Sequence, residues 1–156
     1  MPRRLQQSQS SPMQLTRAAD YALRALIFLA QQPEGHRAPL GELARATATP
    51  ESFLSKVLQS LGRAGFVASR RGQVGGFTLL PRGRAASVAQ VIEAIDGPCC
   101  LNVCLSDGVS CKRRFWCPAH PIWAEAQNAL LAVLQTHSIA ELADRATTPT
   151  NPLIQL

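Results

Sequence analysis

The sequence predicts a mainly α-helical fold with one small β-hairpin. Three observations carry that prediction. Apolar residues recur at three- and four-residue intervals through most of the chain, the period of an amphipathic helix. Two short runs, Phe66-Val67-Ala68-Ser69 and Phe77-Thr78-Leu79-Leu80, flank the glycine-rich tip RRGQVGG and suit paired strands. A hydrophobic content of 46% over 156 residues is ordinary for one compact domain with an appendage, and no apolar run is long enough to cross a bilayer.

The elements follow in order. Residues 1–12, MPRRLQQSQSSP, read as a flexible polar leader; no apolar stretch follows them as it would in a secretory signal, so the expected location is cytoplasmic and no membrane contact is expected. Ala18, Tyr21, Ala22, Ala25, Leu26 and Leu29 mark a first helix over Gln14–Gln31, ended by Pro33 and Gly35. A second helix spans Leu40–Ala46. After the turn Thr47-Ala48-Thr49, Thr49 suits an N-cap and Pro50 the first helical position. The third helix, Pro50–Ala64, carries an apolar stripe of Phe53, Leu54, Val57, Leu58 and Leu61, and Gly65 caps its end. Two short helices joined by a three-residue turn, the second polar outside, make a helix-turn-helix, and the hairpin behind them makes a wing.

Arg82-Gly83-Arg84 forms a basic joint. Ser87 then caps a helix over Val88–Ile95, which Asp96-Gly97-Pro98 ends. Pro118 is placed to start a long helix to about Thr136. Its row Ile122, Ala126, Leu130, Leu134, widened by Trp123, Leu131 and Val133, is too apolar for a small winged domain to cover, so it predicts a dimerisation helix. Ser138 to Glu141 has capping-box spacing and opens a last short helix. The predicted parts are the leader (1–12), a winged helix-turn-helix DNA-binding domain (13–84), a linker helix with cysteine loop and dimerisation helix (85–146), and a flexible tail (147–156).

Charge divides along the same line. Met13–Arg84 holds ten Arg and Lys against four Asp and Glu, whereas Ala85 to the end holds four against six. A basic first half joined to a slightly acidic second half fits a polyanion-binding module carrying something else. Ser52, Ser55, Lys56 and Gln59 on the outer face of the third helix would meet duplex DNA, and Arg70 and Arg71 at the wing tip would reach phosphates or the minor groove. The GxxGG stretch lacks the G-K-[ST] and the strand-to-helix setting of a nucleotide loop. No nucleophile with an activating base stands out, so no enzyme is expected.

All five cysteines fall between Cys99 and Cys117. Cys104, Cys111, Cys117 and His120 make a C-x6-C-x5-C-x2-H pattern in a polar loop, where soft thiolates and an imidazole suit an iron–sulfur cluster or zinc. Three readings stay open: a cluster, a structural Cys3His zinc site, and bare redox-sensing thiols. Trp116 and Trp123 are expected to pack around the loop and shield it. Cys99 and Cys100 read as bystanders.

Together, MQLTRAADYALRAL, the helix-turn-helix, the wing RRGQVGGF, SVAQVIEAIDG and the three-cysteine loop resemble the Rrf-two-type winged helix-turn-helix regulators, with their IscR-, NsrR- and RirA-like branches, over about Met13 to Ala143. The resemblance implies a homodimer on a palindromic DNA operator, acting as a repressor under control of an iron–sulfur cluster that senses nitric oxide, iron or redox status. Cys104, Cys111 and Cys117 match the family's cluster cysteines, the first spacing being one residue longer than the common form. His120 matches the histidine ligand of 2Fe–2S relatives, and Asp20 the aspartate that a partner subunit lends to a 4Fe–4S cluster. Ser52, Ser55, Lys56 and Arg71 match DNA-facing positions, with Ser55 in place of a glutamate found in the IscR-like branch.

Overall fold

The computed structural model describes residues 15–72, 74–106 and 111–146. The predicted leader 1–12 and tail 147–156 lie outside them. Among the described residues, seven α-helices and a two-stranded antiparallel hairpin follow one another: α1 (Arg17–Gln31), α2 (Leu40–Ala46), α3 (Glu51–Arg63), β1 (Val67–Arg70), β2 (Gly76–Leu79), α4 (Pro81–Ala85), α5 (Val88–Asp96), α6 (His120–Thr136) and α7 (Ile139–Ala146). The predicted class, mainly α with a β-hairpin wing, is the observed one.

Helix α1 is the centre of the packing. Thr16 has extended backbone and its Oγ1 accepts the Ala19 N–H at 3.2 Å, so the helix begins at Arg17; the predicted start, Gln14, lies outside the described residues. One face buries Ala19, Ala22, Ala25, Leu26, Leu29 and Ala30. Its many alanines let α3, α5 and α7 approach closely. These helices share one apolar core with Leu43, Leu54, Leu58, Leu61, Val91 and Ile139, so elements on both sides of residues 84–85 contribute to it. Backbone bonds from Val88 N to His137 O (2.9 Å) and from Ile139 N to Ala86 O (2.9 Å) join the start of α5 to the start of α7.

The turn between α2 and α3 differs from its prediction. Thr49 does not cap α3; its Oγ1 donates back to Thr47 O at 3.2 Å, and Pro50 occupies the cap position without a side-chain bond. Thr47 Oγ1 donates to Leu43 O at 2.7 Å. Both threonines are buried and hold the turn, whose middle residue, Ala48, has φ +51°. The first strand sits one residue later than expected and the second one residue earlier, with Val67 opposite Leu79 and Arg70 opposite Gly76.

The Arg82-Gly83-Arg84 joint is itself helical. Pro81 opens α4, Arg84 Nη1 donates to Ala30 O at 2.9 Å, and the Arg82 guanidinium lies 5.9 Å from the centre of the Phe66 ring. Gly83 is buried against the Phe66 carbonyl, which a Cβ at this position would strike. That carbonyl also accepts the Leu80 N–H at 3.0 Å, so it is not free to turn away. Gly83→Ala is expected to cost about 1–3 kcal/mol through overpacking, read as a lower denaturant midpoint at unchanged slope.

Helix α5 matches its prediction closely. Ser87 and Gln90 form a reciprocal capping box, and Gly97 ends the helix with φ +83°. The long helix α6 starts at His120, two residues later than Pro118; Ala119 is its cap and Pro121 lies in its first turn. Ser138 Oγ accepts the Glu141 N–H at 3.2 Å, which opens α7 as the spacing predicted.

Candidate nucleic-acid interface and cysteine loop

Helix α3 is two-faced. Leu54, Val57, Leu58 and Leu61 point into the core, while Ser52, Lys56 and Gln59 are exposed on the other side and Ser55 is half-buried between the two. Phe53, expected in the stripe, is instead 41% exposed and meets Tyr21 of α1 edge-on, with ring centres 5.6 Å apart. It lies at the edge of the stripe, where the core ends.

Arg70 and Arg71 are exposed at the wing. The wing's return strand rests on the segment before α2: Ala38 N donates to Phe77 O at 3.0 Å, and Phe77 N to Ala38 O at 2.9 Å. Gly76 makes that approach possible. Its φ is +147°, and a Cβ there would fall 2.6 Å from Ala38 O. Arg37 is thereby brought beside the wing, its Nη1 donating to Val74 O at 3.3 Å. Sequence reasoning missed Arg37, because it stands more than thirty residues before the wing and no periodicity joins them.

In the cysteine loop, Cys104 sits in a 3₁₀ turn, Val103–Leu105, which the sequence did not predict. Cys99, Cys104, Cys111 and Cys117 are half-buried, Cys100 is exposed, and none is in a disulfide. His120 N donates to Cys117 O at 3.2 Å, so the third cysteine and the histidine share the turn that opens α6. The His120 Nε2 atom is buried with no hydrogen-bond partner. Such an atom forfeits about 1–3 kcal/mol unless something meets it. Asp20 is in a different position: its carboxylate accepts from Arg24 Nη2 at 2.8 Å, one turn along α1.

Among the described residues no three Cys, His, Asp or Glu side chains converge closely enough to hold an ion. The donor types nonetheless fit an iron–sulfur cluster: three soft sulfurs and an imidazole nitrogen with its lone pair or proton unspent. Cys99 and Cys100 lie to one side, in a groove of about 500 Å³ with Pro98, Leu105, Gln127 and Leu131. Leu101 N donates to Gln127 Oε1 at 3.0 Å, which ties this stretch to α6.

Trp116 and Trp123 do not shield the loop in the single chain; Trp116 is 71% exposed and Trp123 is exposed beside Ile122 on α6. Helix α6 buries no residue of its own, and touches mainly α5 and the 3₁₀ turn.

The Rrf2 family, described as iron-dependent transcriptional regulators, matches residues 15–145. The chain belongs to the Rrf2 family. It is a DNA-binding transcriptional regulator and not an enzyme. It is 30% identical over 136 residues to an rrf2-like HTH-type regulator of Rhodobacter capsulatus, a match covering 82% of this chain and 91% of that one. Among solved structures it is similar to CymR, the global cysteine regulator of B. subtilis, at 25% identity and a TM-score of 0.68, covering 85% of this chain and 97% of that chain. The fold is also that of T. potens IscR, with a TM-score of 0.64 at 21% identity, covering 90% and 96%. Among the described residues no helix is long and apolar enough to cross a membrane.

Proposed function

We propose that this Rrf2 regulator works as a homodimer on a palindromic operator, and that an iron–sulfur cluster held by Cys104, Cys111 and Cys117 controls its hold on DNA. The observation that carries the proposal is the buried, unpartnered Nε2 of His120, one turn from Cys117, which favours His120 over Asp20 as the fourth ligand. Asp20 already has Arg24 as its partner. Three thiolates and an imidazole make the 2Fe–2S form the better match, because a histidine on one iron is an established alternative to cysteine in such clusters. A bound cluster supplies a centre that changes charge or ligation when iron, oxidants or nitric oxide change.

The chain's own residues do the rest. The exposed side chains Ser52, Lys56 and Gln59, with Ser55, enter the major groove on α3, and Arg70 and Arg71 follow the backbone from the wing. Thiolates at Cys104, Cys111 and Cys117 would draw their loop into one arrangement against the start of α6. Helix α6 joins the two subunits, so a change at the loop reaches the spacing of the two winged domains, which operator binding does not tolerate. The work takes place where the DNA is, in the cytoplasm.

Support for the dimer comes from α6, whose Ile122 and Val133 are 59% and 60% exposed in the single chain, with Trp123 and Leu130 beside them. Apolar faces of this kind mark association surfaces. Leu130→Glu is expected to give monomers by sedimentation and to weaken operator binding at least tenfold, since each half-site then binds alone. A variant still dimeric would put the interface elsewhere.

The deciding experiment is anaerobic purification, with iron, sulfide and zinc measured beside the visible spectrum. Binding to a duplex selected from a random pool is then compared with and without the cluster. Coloured protein with iron and sulfide, whose DNA affinity changes on cluster loss, is the expected result. Colourless protein with stoichiometric zinc would mean a structural Cys3His site. Colourless, metal-free protein whose DNA affinity follows thiol oxidation would mean a thiol sensor.

A further inference from the structure

We propose that Arg37, Arg70 and Arg71 together clasp one backbone phosphate of duplex DNA, with Arg37, which lies outside the wing, as the fixed jaw of the clasp. The inference rests on the DNA-binding reading above and adds a residue and a site to it.

The three arginines line a single notch of about 400 Å³, closed by Gly72 and Val74. Among the described residues none of the three pairs with a carboxylate. Gathering three guanidinium groups without a counter-charge is unfavourable unless an anion with several acceptor oxygens sits among them, and a phosphate diester is such an anion. Arg37 differs from the other two in being half-buried and anchored. Its Nη1 donates to Val74 O, which spends one of five N–H donors and leaves the others for a ligand.

That bond does not stand alone. The paired bonds between Ala38 and Phe77 fix the backbone next to Arg37 against the wing's return strand. Gly76 lets the two backbones meet, and a Cβ there would also come within 3.0 Å of Arg37 Cγ. Arg37 is therefore held at a set height beside Arg70 and Arg71, which are exposed and, among the described residues, make no side-chain hydrogen bond or ion pair. A fixed donor beside two exposed ones favours a sequence-independent backbone contact that sets how deep the wing sits.

The test separates charge from propping. Binding of wild type, R37Q and R37K to a labelled duplex is measured over a range of salt, with thermal melts of each protein. Glutamine keeps a donor for Val74 O and loses the charge; lysine keeps the charge. The salt slope of R37Q is expected to fall by about one per subunit at unchanged melting temperature, and R37K is expected to restore it. An R37Q slope equal to that of wild type overturns the clasp and leaves Arg37 as a prop for the wing. Exchanging chloride for inorganic phosphate at matched ionic strength identifies the source of the anion. No displacement of duplex is expected; displacement that R37Q abolishes assigns the notch to free phosphate and overturns the DNA assignment. A wild type that binds no duplex at low salt overturns the DNA-binding reading itself, and the clasp with it.

Discussion

Replacing Leu54 by alanine is expected to lower the stability of the chain by about 2–5 kcal/mol, because the site is fully buried and a cavity would remain. For a chain of this length each kcal/mol moves the melting temperature by roughly 2–4 °C, so the loss is well within reach of a thermal melt. The position also matters for function. Leu54 is the inward neighbour of Ser52, Ser55 and Lys56 on α3, in a core that it shares with α1 and α5. Loosening that anchor should weaken DNA binding in a way that a stabilising co-solvent partly repairs. Lys56→Gln, on the exposed face, should do the opposite. Its stability should stay within about 0.5 kcal/mol of wild type, while its salt slope falls by about one per subunit. A Leu54→Ala protein that melts like wild type would mean that α3 is not held from its inner face.

The contrast between those two residues explains why much of the fold was legible in the sequence. Where an element buries one face, as α1, α3 and α5 do, apolar spacing fixes its type, and at α5 the Ser87 cap fixes its start as well. The signals failed where the determining contact is distant in sequence or the element is short. Helix α4 has five residues, barely more than a turn, so no periodicity could reveal it. Thr49 has the chemistry of a cap, but the buried turn claims its hydroxyl for Thr47 O. Phe53 has the spacing of a core residue, yet the core ends before it, and Tyr21 takes it instead. Trp116 and Trp123 were expected to cover the cysteine loop, but a helix that buries none of its own residues offers them no wall to lie against. The cysteine spacing singled out candidate ligands by chemistry alone. Only the buried nitrogen of His120 and the Arg24 partner of Asp20 distinguish the two candidates for the fourth position.

Cys111→Ser is expected to abolish the cluster, with visible absorbance and bound iron and sulfide falling to background. An alcohol oxygen is a poor substitute for a thiolate on iron, and Cys111 is the central of the three sulfurs in sequence, so neither flank can replace it without moving the loop. Operator affinity of the purified variant should then equal that of cluster-free wild type and no longer respond to iron or oxidant. His120→Ala should act less completely. The three sulfurs remain, but the fourth place falls to solvent or an added thiol, so iron content should drop, the spectrum should shift, and the cluster should be lost faster in air. Asp20→Ala should leave spectrum and iron content as in wild type, because removing the carboxylate breaks only an exposed ion pair with Arg24, worth about 0–1 kcal/mol. A cluster lost from Asp20→Ala and kept in His120→Ala would reverse the assignment and point to a ligand lent across the dimer. In that case the signal would pass from the loop of one subunit directly to the first helix of the other. If His120 is the ligand, the site closes within one loop and α6 alone carries the change. The second route predicts that Leu130→Glu monomers still take up the cluster at wild-type stoichiometry, whereas a ligand borrowed from a partner would be missing from them.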